Sequence, residues 1–410
     1  MDSVRAQFPA LRRVHAGHPV AYFDGPGGTQ VPLAVVDAMR DYLLHHNANT
    51  HWAYPSSRET DALLLDARRT YAAFFGAPDP SWVSFGQNMT TITFHVARAL
   101  ARQWKAGDEI VVTELDHHAN VDPWREAARD RDLVVRTVPL AADRASLDMD
   151  ALAAAMTTRT RLLAVGAASN AIGTITDVAA ATRIAHDAGA LVFVDAVHYA
   201  PHACVDVQAI GCDMLACSPY KFYGPHQGIL CADPALISTL PLPKLRPAPA
   251  TPPDALETGT QSHEGIVGAA AAVRFLASVA SGAPAPDAPA ALRAALTASY
   301  EHLHEDAASL TRRLWDGLGA IAGVTRYGRP PGEPRTPTVS FTLDAMSSHD
   351  VAARLVDDGL FVSSGDFYAQ TLVERLGHGR DGLVRIGAAC YTTAGEIDRL
   401  LTAVERLATR

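Results

Sequence analysis

A lysine stands alone in the segment SPYKFYGP, residues 218–225, between two tyrosines and directly after the apolar run CDMLAC. A solvated lysine needs no such setting. A lysine that must lose its proton does, because desolvation lowers an amine's pKa and the neutral amine attacks carbonyl carbon. In VFVDAVHYAPH, Asp195 follows an apolar run, and His198 comes three residues later. A carboxylate there is costly to desolvate unless it meets a cation; capping of the following turn is the plainer alternative. ELDHHANVDPW carries His117 and His118. Adjacent residues face different ways, so they make poor chelators of one metal; one of them could stack flat on an aromatic ligand, or the two could form a hydrogen-bonded structural pair. SFGQNMTTITF turns from strand to helix through Gly86–Thr90. Free N–H groups at a helix start hold phosphate, and simple capping by Asn88 or Thr90 is the competing reading.

These residues share a kind of position. Between residues 82 and 232 seven short β-type runs occur: WVSFG, EIVVTEL, LVVRTVPL, TRLLAVGAAS, LVFVDAV, DMLACS and GILCA. Helical stretches such as TTITFHVARALARQW and DVAAATRIAHDAG separate most of them. Apolar runs alternating with amphipathic helices predict βαβ units and a mostly parallel sheet. Ligands of such sheets sit at the carboxyl ends of the strands, where Thr90, His117, Asn170, Asp195, Ser218 and Lys221 fall. An aspartate and a lysine at neighbouring strand ends fit pyridoxal phosphate, the carboxylate holding the pyridinium proton and the amine forming the Schiff base. Beyond the linker-like SGAPAPDAPA, the sequence predicts a long helix over 291–319. TPTVSFTLD, LFVSSG and LVRIGAACY read as strands, and residues 394–409 as a final amphipathic helix, giving a smaller α+β domain.

Composition narrows the class. The 410 residues are 48% hydrophobic and 19% charged, enough for a sizeable core. The formal charge is −9 with no long basic run, which disfavours nucleic acid as a partner. No apolar run is clean enough to span a bilayer, and the first residues lack the apolar core of a signal peptide, so no membrane association is expected and the location reads as cytoplasmic. Five cysteines, an odd number with no CxxC pair, read as reduced and mostly structural, without a metal site.

The ordered motifs YFDGPGGTQVP, GDEIVVTELDHHANVDPW, ASNAIGTITDV, SPYKFYGPHQGIL, ETGTQSHEGIVG and VRIGAACYTTAGEIDRL resemble fold-type I pyridoxal phosphate enzymes of aminotransferase class V, in the pattern of cysteine desulfurases. The resemblance covers nearly the whole chain. It implies a large cofactor domain over 21–275 with a seven-stranded, mostly parallel sheet. A small α+β domain follows over 276–410, and a 1–20 segment packs on it. Lys221 falls on the Schiff-base lysine, Asp195 on the pyridine-nitrogen partner and His117 on the ring-stacking histidine. Asn170 falls near the phenolic oxygen, and His198, in place of a glutamine, could bond there too. Met89, Thr90 and Ser218 fall on the phosphate site, where the Tyr220 hydroxyl could also bind. Thr260 falls on a phosphate contact that relatives supply from the neighbouring subunit, implying a homodimer with shared sites. Arg385 falls on the arginine that clamps the substrate carboxylate, a task suited to its planar fork.

One departure bears on the reaction. Desulfurases carry a catalytic cysteine in a loop resembling R-T-G-H-H-C, and this chain has SSGDFYAQT. Tyr368 takes the cysteine's place and Ser363 that of an arginine. A persulfide mechanism needs a thiolate beside the substrate sulfur, so true desulfurase activity is not expected. The expectation is an enzyme acting on an α-amino acid, by C–S or β-elimination lyase chemistry on a cysteine-like substrate. Asp366 and Tyr368 are candidates for the acid that protonates a leaving group, or simply shape the pocket. Transamination and epimerisation are alternatives, as is a non-catalytic binding protein on the same fold.

Overall fold

The computed structural model describes residues 2–344 and 346–409. All seven apolar runs are strands of one sheet: β1 (Val83–Gly86), β2 (Glu109–Thr113), β3 (Val134–Val138), β4 (Thr160–Gly166), β5 (Leu191–Asp195), β6 (Met214–Cys217) and β7 (Gly228–Ala232). Their order is β1-β7-β6-β5-β4-β2-β3. Only β7 runs antiparallel to its neighbours. Successive strand residues point to opposite faces, and here both faces are covered. Val111, Leu163, Val194 and Leu215 enter one core, Ile110, Leu162, Phe193 and Met214 the other. That double burial is why the strands other than the half-exposed edge strand β3 read as unbroken apolar runs rather than alternating ones.

Helices α1 (Pro55–Phe75), α2 (Met89–Ala101), α3 (Asp122–Arg131), α4 (Val178–Asp187) and α5 (His263–Ser278) supply the covers. Tyr71, Phe74 and Phe75 of α1, Ala181 of α4 and Val273 of α5 pack on the first face; Val96 and Leu100 of α2 and Trp124 of α3 pack on the second. α2 begins at a capping box, Asn88 accepting from the Thr91 N–H while Thr91 accepts from that of Asn88. The cap fixes where the helix starts, directly above the end of β1.

The 32-residue α6 (Pro289–Ala320) leads to a second sheet. Its strands are β8 (Val324–Tyr327), β9 (Thr338–Leu343), β10 (Ser363–Gly365) and β11 (Leu383–Gly387), antiparallel in the order β8-β9-β11-β10. The terminal helix α7 (Ala394–Ala408) joins α6 over a third core that holds Leu318, Phe341, Ile386 and Leu400. The segment LFVSSG is not one strand. Leu360–Phe361 pairs in parallel with Ala21–Tyr22, and only Ser363–Gly365 joins the sheet beside Arg385. Near the start of the chain, Arg5 forms an ion pair with Glu396 at 3.0 Å and Phe8 lies edge-on to Tyr223, Phe275 and Tyr391. All five cysteines are free, and no helix of the described residues is long and apolar enough to cross a membrane.

Candidate active site

One cleft opens at the carboxyl ends of β1, β2, β4, β5 and β6. Nine of the residues singled out from the sequence line it: Met89, Thr90, His117, Asn170, Asp195, His198, Ser218, Tyr220 and Lys221. Lys221 ends a single turn, Pro219–Lys221, that follows β6. Its ammonium donates to the carbonyls of Pro26 and Gly27 and lies 4.8 Å from the Tyr220 ring centre. Burial first, and then the Arg385 charge, bring its pKa down to about 8, with Asp24 and Asp195 opposing. Asp195, the last residue of β5, accepts from the Val197 N–H at 2.8 Å and is pushed up to about 6 by burial.

Ser218 follows β6, and its hydroxyl accepts from the Met89 N–H at the start of α2 at 3.3 Å. Helix start and hydroxyl thus converge, with Thr90 in the same wall. The two histidines do face different ways. His118 turns outward to Asp122 at 2.9 Å and Thr371 at 3.1 Å. His117 accepts the Ala119 N–H on Nδ1 at 2.9 Å, so the neutral ring carries its proton on Nε2. Burial, with Lys221 next, pushes His117 down to about 4 and keeps it neutral.

Arg385 of β11 is almost fully enclosed. It donates to Asp24 Oδ1 at 2.9 Å and to the Asn170 carbonyl at 3.1 Å, with its guanidinium 4.0 Å from the Phe367 ring centre. Tyr368, 74% exposed, stacks on His117 with ring centres 5.5 Å apart. The Asp366 carboxylate is exposed at the rim and accepts from the Tyr368 N–H. Phe367 and Tyr368 both hold φ at 57°, a left-handed backbone uncommon for bulky residues. Asn170 and His118 tether the pair by donating to the Phe367 and Tyr368 carbonyls at 2.9 and 2.7 Å. Thr260 is exposed in the loop before α5 and does not line the cleft of its own chain. Two carboxylates escaped the sequence reading. Asp24 holds Arg385. Asp116, beside His117, accepts from the Gly166 N–H at 2.7 Å and Asn120 at 3.2 Å, and is pushed up to about 8 by burial and then by Asp195. Asp24 lay in a glycine-proline run that reads as a turn; the signal for Asp116 was its place at a strand end.

Residues 21–400 match the aminotransferase class-V family. The chain belongs to that family. It is 32% identical to a cysteine desulfurase of Dickeya dadantii, over 99% of this chain and 96% of that protein. It is 34% identical to a probable cysteine desulfurase of Halobacterium salinarum, with the same coverage. Among solved structures it superposes on the apo cysteine desulfurase of Thermococcus onnurineus with a TM-score of 0.88, at 27% identity and covering 100% and 98% of the two chains. For a cysteine desulfurase of Escherichia coli the TM-score is 0.85, at 28% identity and covering 99% and 97%.

This class-V chain is therefore a cysteine-desulfurase-like enzyme of the pyridoxal phosphate type I fold, and pyridoxal phosphate is its cofactor. The cleft fits that group on its own chemistry. Asn170 Oδ1 and His198 Nδ1 are buried and lack hydrogen-bond partners, two polar atoms left for something in the cleft. The floor offers an acid, Asp195; the wall offers an amine depressed toward neutrality; and the start of α2 offers N–H groups for phosphate.

Proposed function

We propose that the protein acts on an α-amino acid by lyase chemistry, eliminating a β-substituent from a cysteine-like substrate, without the persulfide route of a desulfurase. The observation that carries this reading is the loop over the cleft. It presents Asp366, Phe367 and Tyr368, and no thiol. Among the described residues no cysteine lines the cleft, and Cys390, beyond β11, is buried, its thiol pushed up to about 12. A thiol so disfavoured from ionising is a poor nucleophile.

When bound, pyridoxal phosphate supplies an electron sink for charge that develops at the α-carbon. Ser218, the Met89 and Thr90 N–H groups and Tyr220 hold its phosphate in this reading. Asp195 would keep its ring nitrogen protonated, and His117 would pack beside its ring. Lys221 would be its covalent anchor and afterwards the base. Burial that brings the pKa down to about 8 puts the neutral amine within reach near neutral pH, and in that form Lys221 would take the α-proton on Nζ. Arg385 clamps the substrate carboxylate with Asp24 steadying its far edge. Lys221 takes the α-proton, the Cα–H electron pair becomes the Cα=Cβ bond, and the β-substituent leaves with its own bonding pair and takes a proton from Tyr368 or Asp366 at the rim; water then hydrolyses the released enamine to pyruvate and ammonia. The exposed apolar side chains between residues 33 and 65 support a homodimer.

The deciding experiment incubates the purified holoenzyme with a panel of amino acids and scores pyruvate, ammonia, sulfide and keto acids. Equal amounts of pyruvate and ammonia from a β-substituted substrate are expected. Fast release of sulfane sulfur from cysteine would overturn the reading.

A further inference from the structure

The reading above gives the substrate carboxylate to Arg385, yet no substrate can reach that side chain in this conformation. It is 4% exposed and is not part of the cleft wall. Asp24 and the Asn170 carbonyl take its two outer nitrogens at 2.9 and 3.1 Å. The Phe367 ring covers its face, 4.0 Å from the guanidinium. Arg385 Nε is enclosed and has no acceptor among the described residues. A buried donor left in that state is costly until an acceptor arrives. The cleft itself holds about 80 Å³, whereas sites that enclose small molecules run to roughly 300 Å³ or more.

We propose that Phe367 gates Arg385: its ring closes the guanidinium, and the α-carboxylate of an incoming amino acid displaces it. Of the groups around the arginine, this one is set to leave. Phe367 is half-buried on a loop, and its side chain makes no hydrogen bond. It and Tyr368 both hold φ at 57°, a backbone costly for bulky residues and relieved when the loop lets go. Three hydrogen bonds tether the loop to the large domain. Asn170 Nδ2 donates to the Phe367 carbonyl at 2.9 Å and the His118 N–H to the Tyr368 carbonyl at 2.7 Å, while His118 Nε2 meets the Thr371 hydroxyl at 3.1 Å. Gly365, with φ at 126°, gives the loop a pivot of a kind that glycine alone adopts readily. A carboxylate that takes the ring's place supplies the acceptor that Nε lacks. An amine without a carboxylate has nothing to put there, so the gate adds to the selection of amino acids. The inference rests on the assignment of Arg385 to the carboxylate, not on the lyase step.

The test follows the holoenzyme's visible absorbance band after rapid mixing with L-alanine, which carries the carboxylate and has no β-substituent to lose. In wild type the observed rate should rise with alanine and then level off at the rate of gate opening. In Phe367→Ala it should keep rising. At low alanine it should exceed wild type by roughly ten- to a hundredfold, the gain when a form open about 1–10% of the time becomes permanent. Phe367→Tyr, which keeps a ring over the guanidinium, should level off again. Ethylamine, which lacks the carboxylate, should react no faster with Phe367→Ala than with wild type. Phenylglyoxal gives a readout without substrate: mass spectrometry should find Arg385 unmodified in wild type and modified in Phe367→Ala. A wild-type rate that never levels off, a Phe367→Ala rate equal to wild type, or equal modification of Arg385 in both refutes the gate. So does ethylamine gaining as much as alanine, since the ring would then bar the whole cleft. If Arg385→Gln binds alanine as tightly as wild type, the carboxylate lies elsewhere and the gate falls with that assignment. If no β-substituted amino acid yields pyruvate while Phe367→Ala still removes the plateau, the lyase reading falls and the gate stands.

Discussion

At Lys221 the cost of keeping a charge out of water outweighs the attraction of Asp24 and Asp195, and the amine titrates near 8 rather than 10.5. In the proposed function the neutral amine is the form that captures the cofactor. The rate of uptake by the apoprotein should therefore rise about tenfold per pH unit below pH 8 and level off above it. Stopped-flow absorbance of added pyridoxal phosphate measures this; a rate still climbing through pH 10 would mean an ordinary, solvated lysine. Asp116 moves the other way, raised by burial and then by Asp195, against the hydrogen bonds from Gly166 and Asn120. Its folded pKa is about 8 against an ordinary 3.8, so the folded chain holds this proton more tightly than the unfolded chain. The stabilisation is complete below about pH 4 and is lost as pH rises to about 8. Apoprotein carrying Asp116→Asn should thus melt higher than wild type, by a margin that widens from pH 5 to pH 8 in calorimetry. A margin that stays constant with pH would refute the burial argument. The sequence exposed Lys221 and Asp195 because each is a charge ending an apolar run. It hid Asp24, whose meaning depends on Arg385, 361 residues away in the chain.

At the scale of elements, the strands were legible because both faces of the sheet are buried, and a strand buried on both faces shows as an unbroken apolar run. LFVSSG misled for the complementary reason: two residues pairing in parallel with Ala21–Tyr22 are too short to show a period, so the change of partner at Val362 left no trace in the pattern. The left-handed backbone at Phe367 and Tyr368 was equally silent, since neither residue type signals it. Close approach of elements does leave a mark, as a glycine. In β7, Gly228 lies against the start of α2, and a Cβ there would come within 2.5–2.7 Å of three backbone atoms of Asn88. That residue caps the helix whose start lines the cleft and, in the proposed function, holds the cofactor's phosphate. Gly228→Ala should push α2 away from Ser218, while the sheet, held by its other strands, still folds. The expected result is a cofactor dissociation constant at least about tenfold weaker with far-ultraviolet circular dichroism unchanged. An unaltered constant would show that the helix start does not grip the cofactor.

For the molecule as a whole, the apolar side chains left in water are unevenly placed. Leu33, Val36, Leu43, Leu44, Trp52, Tyr54 and Leu65 are all 42–67% exposed, and all fall within residues 33–65. Single exposed apolar residues are ordinary, but so many from one stretch of chain mark an interaction surface. A second copy is the simplest occupant, because a twofold axis lets one patch cover itself. Thr260 gives this a functional edge: it is exposed, outside its own cleft, and available to a neighbour's phosphate site. Replacing Leu44, the most exposed of these side chains, by Asp puts a charge among them and, where they form the contact between two copies, should halve the mass seen by light scattering. If Thr260 serves the neighbouring cleft, cofactor retention on dialysis should fall in step with the dimer fraction, and Thr260→Ala should weaken retention in protein that remains dimeric. A Leu44→Asp protein that stays dimeric would place the interface elsewhere on the surface. A monomer that keeps its cofactor as tightly as wild type would make each cleft self-sufficient, with the patch serving assembly alone.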